Sequence, residues 1–244
     1  MSNKSLTVLL LATLVSTKAH ALENTLDNAA FTGFQIDTRG QYLAYGALRR
    51  YLKEPDRPVV PFVQLFALEQ RFYTRSDNQL LPGQLTQIAP TVGLKKEIDG
   101  LDLQVSAGPS FLISHLESLL ELENETSIRH KKTTYRVGYT GSGYAQYWTG
   151  SHGLEALVSY TNLERIVYGR ARWFYAEYET DGGTPITPGL EVLGVGNSEF
   201  HQVYAGALLQ TEIKKVELLL KGGYQNNSTF HGGGYGGVEV YVRF

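Results

Sequence analysis

The chain has no cysteine in its 244 residues. That excludes a disulfide framework, a thiol nucleophile and a thiolate metal site. Long apolar runs are also scarce. The run Leu6 to Val15 holds ten residues, against the roughly 18 or more that a spanning helix needs. Lys4 precedes it and Ala19-His20-Ala21 follows it. That order is a basic start, an apolar core and a small-x-small cleavage site, so residues 1–21 are expected to be a signal peptide and Leu22 the mature N-terminus. The competing reading, a buried core helix, lacks an amphipathic pattern and a cap. Metal-ligand spacings are missing: the six histidines show no His-x-x-x-His or similar pattern. The run Gly232 to Gly237 (Gly-Gly-Gly-Tyr-Gly-Gly) lacks the lysine and the following helix of a phosphate loop. There is no internal repeat of solenoid or propeller type. Excess positive charge is absent too. Loss of Lys4 and Lys18 with the leader leaves 20 basic against 24 acidic side chains, a net charge of −4. No nucleic-acid partner is expected from that balance, and no cofactor site is indicated.

What the chain does have is alternation. Near the C-terminus Val238, Val240, Val242 and Phe244 share one face, while Glu239, Tyr241 and Arg243 share the other. Strict alternation means a half-buried strand, and a terminal aromatic on such a strand is the mark of an outer-membrane barrel, where the last strand directs insertion. Phe244 is therefore expected to engage the barrel-assembly machinery. Tyrosine occurs 16 times and glycine 26 times; tyrosine suits membrane interfaces, where an apolar ring carries a polar tip. A membrane protein with no spanning helix must cross as a closed barrel, because open sheet edges are unsatisfied in lipid. The fold class expected for 22–244 is all-β, a closed antiparallel transmembrane β-barrel in the bacterial outer membrane, in contact with outer-membrane lipid.

Twelve segments alternate: 31–38, 41–52, 60–74, 84–97, 101–113, 132–148, 153–162, 166–177, 184–195, 200–212, 215–225 and 233–244. The clearest is the fifth, with Leu101, Leu103, Val105, Ala107, Pro109 and Phe111 opposite Asp102, Gln104, Ser106, Gly108 and Ser110. In the fourth, Ile88, Pro90, Val92 and Leu94 oppose Thr91, Gly93 and Lys95. An even count returns both termini to the periplasm, and it puts the short connections there and 75–83, 114–131 and 226–232 outside. The first hairpin, turning at Asp37-Thr38-Arg39-Gly40, competes with one long bent strand. Glycines at Thr140-Gly141-Ser142-Gly143 suggest a bulge or a close backbone approach. Leucines between Ser114 and Glu123 fall at helical spacing and predict a short helix, either in a solvated outer loop or as a plug dipping into the lumen.

Charge near the membrane midplane is costly on the lipid face, so alternation assigns it inward. The candidate lumen-lining residues are Arg136, Tyr144, Glu155, Tyr168, Arg170, Arg172, Glu191, Tyr204, Glu217, Glu239 and Tyr241. Asp37, Arg50, Lys95, Asp102, Lys221, Arg243, Trp148 and Tyr235 join them. Arg170 and Arg172 sit at alternate positions of one strand, within reach of Glu155 on the strand before. Such a set either braces a closed interior or lines a narrow polar passage. Aromatic rings beside charges and amides also suit sugars.

Catalytic signatures are missing. Outer-membrane phospholipases carry His-x-Ser-Asn-Gly, which does not occur here. The nearest pieces are Ser198 with His201, Ser228 with His231, and Ser151-His152 beside Glu155. Adjacency in sequence does not make a triad, so no enzyme activity is expected, and a lipid-modifying enzyme or a small-solute channel stand as alternatives. The order of motifs is informative in another way. Thr32-Gly33-Phe34-Gln35-Ile36-Asp37-Thr38-Arg39-Gly40-Gln41-Tyr42 is followed by Tyr45-Gly46-Ala47. Later come Tyr168-Gly169-Arg170-Ala171-Arg172, Thr187-Pro188-Gly189-Leu190-Glu191 and Val203-Tyr204-Ala205-Gly206-Ala207, then a glycine-rich tip and a terminal strand. Over roughly 30–244 this resembles the cellulose biosynthesis protein S family of bacterial outer-membrane proteins. The resemblance implies a role in exopolysaccharide, specifically cellulose, biosynthesis or secretion. The partners it implies are periplasmic or inner-membrane cellulose synthase components and the glucan chain. It supplies no active-site residues.

Overall fold

The computed structural model describes residues 28–52, 58–76, 79–121, 127–180, 184–198, 200–229 and 232–244. The expected signal peptide lies outside the described residues, as does His231. The strands are β1 (Asn28–Asp37), β2 (Tyr42–Tyr51), β3 (Val59–Ser76), β4 (Gln79–Ile98), β5 (Leu101–Glu121), β6 (Ser127–Thr149), β7 (His152–Thr161), β8 (Ile166–Phe174), β9 (Tyr178–Glu179), β10 (Pro185–Gly196), β11 (His201–Ile213), β12 (Val216–Asn227) and β13 (Gly233–Arg243). Neighbours in sequence pair antiparallel, β8 pairs with β10, and β1 pairs with β13, so the sheet closes. The two-residue β9 hangs from the start of β10. Without it the ring has twelve staves, each matching one alternating segment of the sequence.

The closure is sealed at the chain end. Asn28 N–H donates to Phe244 O at 2.8 Å, and Phe244 N–H donates to Asn28 O at 3.0 Å. This end carries tight turns, as the periplasmic ends of bacterial barrels do. The sharpest is Asp99-Gly100, where both residues have positive φ, 46° and 82°. A two-residue hairpin with φ > 0 at both positions is a type I′ turn, and Asp-Gly is a favoured pair for it.

Outward positions are apolar and alternate as expected. Val105 is 57% exposed, with Leu103, Phe111, Ile88, Val92, Leu94, Leu154, Val158 and Leu220 also on the outer surface. Thr91, Gln104 and Ser110, from the opposite faces of β4 and β5, are buried.

Four expectations change. The stretch 114–121 is strand, not helix: β5 runs to Glu121 and pairs with β6 from Ser127. Local leucine spacing is overridden because each backbone group finds a cross-strand partner in a ladder already under way. The loop at 75–83 shrinks for the same reason, since β3 reaches Ser76 and β4 starts at Gln79. The glycines at 141 and 143 make no bulge, because β6 keeps one register against β5 and one against β7. Arg50 is exposed and faces out; its neighbour Arg49 is the inward residue, hydrogen-bonded to Gln64. The facing of β2 was ambiguous locally and is set by its register with β3, where Arg49 lies opposite Gln64. The first hairpin does form, with Gln41 N–H and Arg39 N–H both donating to Asp37 Oδ1 at 2.9 Å.

Candidate functional site in the barrel lumen

Register assembles the charged interior. Glu155, Arg172 and Glu191 lie side by side on β7, β8 and β10, because Arg172 is the Cα partner of both carboxylates. Arg170, two residues from Arg172, faces inward too. Its Nη2 lies 2.7 Å from Glu155 Oε1. Arg172 Nη2 lies 2.7 Å from Glu191 and 2.5 Å from Glu239, and its Nη1 lies 3.6 Å from Glu155. Arg170 also approaches Glu239, at 3.7 Å. Lys221 Nζ, from β12, is 2.7 Å from Glu239 and 3.6 Å from Glu191. Three cations meet three carboxylates, so the set is neutral as a whole.

The cluster also reaches across the pore. Tyr45 of β2 donates to Glu239 Oε1 at 2.5 Å. Gly33 of β1 is the Cα partner of both Glu239 and Tyr45. A Cβ on Gly33 would sit 2.4 Å from Tyr45 Cζ, so only glycine lets the tyrosine ring lie flat across β1. β8 and β2 are six staves apart whichever way the twelve are counted. Arg170 and Arg172 on β8 meet Glu239 of β13, four staves away, and Tyr45 carries the path on over β1 to β2, so the cluster is a crossbar that spans the lumen. The side chains of Arg172, Lys221 and Glu191 keep 4, 1 and 0% of their exposure and those of Arg170, Glu155 and Glu239 keep 10, 9 and 15%, so the cluster is largely closed to solvent.

Other layers fill the space above and below. On the periplasmic side Phe174, Leu208 and Leu219 pack together, with Trp148 stacked on Phe174 at 5.5 Å. Tyr51, Phe62 and Ala29 pack with Tyr241. Glu217 and Arg243, 3.6 Å apart, mark this mouth. Arg49 spans from β2 to Gln104 on β5, its guanidinium 4.5 Å from the centre of the Phe62 ring. Lys95 and Asp102 pair beside it at 3.0 Å. Above the crossbar Tyr204 and Tyr235 meet edge-on beside Leu193 and Tyr168. Higher still, Asp37 accepts from Gln41 and Gln225, and Gln225 accepts from Gln202. The cavity there measures about 10 Å³, room for about one water.

Of the sequence candidates, Glu155, Arg170, Arg172, Glu191 and Glu239 form the crossbar. Tyr168, Tyr204 and Tyr235 lie in the layer above it. Tyr144 faces inward on β6, and Glu217 and Tyr241 belong to the periplasmic layer. Arg136 is not in the lumen proper. It sits at the outer rim, 47% exposed, 2.5 Å from Glu164. Tyr45, Gly33 and Arg49 were missed. Their signal was present in the first hairpin, whose pairing places Tyr45 opposite Gly33, but local alternation does not reveal which residue crosses a pore.

At the outer rim, the segment after β7 turns inward. Glu164 and Arg165 have positive φ, 58° and 51°. Leu163 is buried against Leu85 and Leu112, with Leu68 and Phe72 packed on the same cluster. This apolar set fills the outer mouth on the side of β3–β5.

Among the described residues, neither Ser198 with His201 nor Ser151 with His152 makes a hydroxyl–imidazole contact, and the pair of Ser228 with His231 lies partly outside them. Ser228 Oγ accepts from the backbone N–H of His201 at 3.2 Å. Among the described residues no group of three or more His, Asp or Glu is placed to hold a metal ion.

No family model and no curated protein matches the chain. Solved structures do. The β domain of the Bordetella autotransporter BrkA aligns with TM-score 0.52 at 9% identity, covering 90% of this chain and 98% of that one. The translocator domain of the autotransporter NalP from Neisseria meningitidis aligns with TM-score 0.54 at 11% identity, covering 99% and 96%. Identities this low speak for fold alone: the chain is a closed twelve-stranded antiparallel β-barrel, the fold of these outer-membrane domains.

Proposed function

We propose that this chain is a closed, non-catalytic barrel that serves exopolysaccharide, specifically cellulose, assembly at the cell surface as a scaffold and not as the conduit. The observation that carries the scaffold reading is the crossbar. Six compensated charges, tied across the lumen and largely screened from solvent, leave no lane for a glucan chain. The link to cellulose rests on the motif order of the sequence, and cellulose synthase components on the periplasmic side are the partners it suggests. Two measurements test the reading. A strain lacking the gene should lose cellulose-dependent dye binding, and the purified barrel should stay silent in a planar bilayer. Normal dye binding in the deletion strain would remove the link to cellulose, and reproducible single-channel steps would remove the scaffold.

A small-solute passage is the competing reading. What favours it is the side of the lumen away from the crossbar, where Lys95 and Asp102 keep 26 and 20% of their side-chain exposure. The same bilayer recording separates the two, because a passage there would change its ion selectivity when Lys95 is replaced.

A further inference from the structure

The barrel is not level at its outer end. β3 to β6 are 18 to 23 residues long, while the other staves have 9 to 13. The surplus rises as a wall on one side of the mouth. One edge of that wall is open. β6 pairs with β7 between Thr140 and Thr149, but from Ser127 to Tyr139 its ladder partner is β5 alone.

The first open position is capped. Asn162 N–H donates to Tyr139 O at 3.1 Å, and Asn162 Oδ1 accepts from Tyr139 N–H at 2.7 Å. The backbone groups of Tyr139 therefore point toward the β7 side. Alternate residues of a strand present their N–H and C=O to the same side. Val137, Tyr135, Thr133, Lys131 and Arg129 thus offer a row of donors and acceptors on that edge. Among the described residues nothing pairs with them. Tyr135 and Val137 are 75 and 71% exposed, the highest values among the large apolar side chains described.

We propose that this edge of β6 docks an extended acidic polypeptide segment, which adds antiparallel to β6 in line with β7. The open backbone row is what a strand-adding peptide uses for affinity, and the alternating side chains beside it supply specificity. Charge selects the occupant. The open stretch contains Arg129, His130, Lys131, Lys132 and Arg136, and no Asp or Glu occurs from 127 to 149. Like charges placed opposite each other destabilise a strand pair. A second copy of this edge is thereby repelled, which is how basic residues protect edge strands from self-pairing. An acidic strand meets no such barrier. This inference is independent of the cellulose reading.

The test uses the full-length protein in phosphatidylcholine nanodiscs and a capped ten-residue peptide of alternating Val and Glu. The peptide is expected to bind and to slow hydrogen exchange at the amides of Thr133, Tyr135 and Val137. A Val–Lys peptide is expected to bind at least tenfold more weakly. Val137→Pro removes one edge donor without touching the β5 ladder, a position where proline is tolerated. It should weaken the acidic peptide about five- to tenfold, the effect of one main-chain hydrogen bond. Should that variant fail to fold, the double change Lys132→Glu and Arg136→Glu gives a second reading: preference should move toward the Val–Lys peptide. Absence of exchange protection, or equal binding of both peptides, overturns the proposal. So does the same protection from phosphatidylglycerol nanodiscs without peptide, which would make the edge a lipid site.

Discussion

Four groups converge on Glu239: Arg170, Arg172, Lys221 and Tyr45. Two guanidinium groups and an ammonium in a site screened from water need that carboxylate. Replacing one partner of a buried ion set leaves the others uncompensated, which costs about 3–5 kcal/mol. Glu239→Ala is expected to lose stability in that range, read as a shift of the urea midpoint in detergent micelles with tryptophan emission as the probe. Glu239→Gln keeps an acceptor for Tyr45 and should lose less. Equal losses for the two would mean that the charge alone, and neither the volume nor the acceptor oxygen, carries the effect at this position. Arg170→Ala combined with Arg172→Ala reverses the imbalance by leaving Glu155 and Glu191 without their guanidinium partners. It should likewise destabilise the barrel without opening a conductance. Gly33 carries a subtler role. Gly33→Leu places carbon where the Tyr45 ring lies, so the Tyr45–Glu239 hydrogen bond should be lost while the sheet persists.

At the scale of strands and turns, the outer face of β5 and β12 is the most direct test of membrane placement. Val105 and Leu220 are about half exposed on outward faces. Arginine at either site should cost about 2–4 kcal/mol near the midplane. A folding titration in lipid that shows no loss would mean the band lies elsewhere on the strands. The Asp99-Gly100 turn is a separate lever. A side chain at Gly100, held at φ 82°, should cost about 1–2 kcal/mol, the price of a left-handed residue. Gly100→Val should therefore lower the unfolding midpoint and leave the neighbouring register unchanged by hydrogen exchange. Most of these elements were legible beforehand. Alternation on β4, β5, β7 and β12 names the lipid face residue by residue, and Asp-Gly announces its turn. The exception is instructive. Leu116, Leu119 and Leu120 carry helical spacing, yet they lie on β5, because a hairpin partner satisfies the backbone at each step and an isolated short helix does not gain as much.

For the whole molecule, closure is the dominant fact. The seam is made by β1 and β13 along their full length, with Phe244 and Asn28 exchanging both backbone hydrogen bonds at its end. Those two bonds are a small share of the seam. Deleting Phe244 should leave the unfolding midpoint of a barrel refolded in micelles nearly unchanged.

The sequence by itself determined the outline of the architecture: that there are twelve strands, where their barrel portions run, which face of β4, β5, β7 and β12 is apolar and that the first and last strands end on one side. The full reach of β3 to β6 and the facing of β2 came only from pairing. Period-two patterning is a local property, and the high cost of charge in lipid makes it strict. Only the tertiary structure decided what the interior is. Arg172 meeting Glu239 and Tyr45 reaching over Gly33 depend on register accumulated around the ring and on a contact across the lumen. No run of neighbouring residues encodes these contacts. The same holds for the outer wall. The length of β6 beyond β7 sets a free edge, and a strand's local pattern is identical whether or not a partner stands beside it.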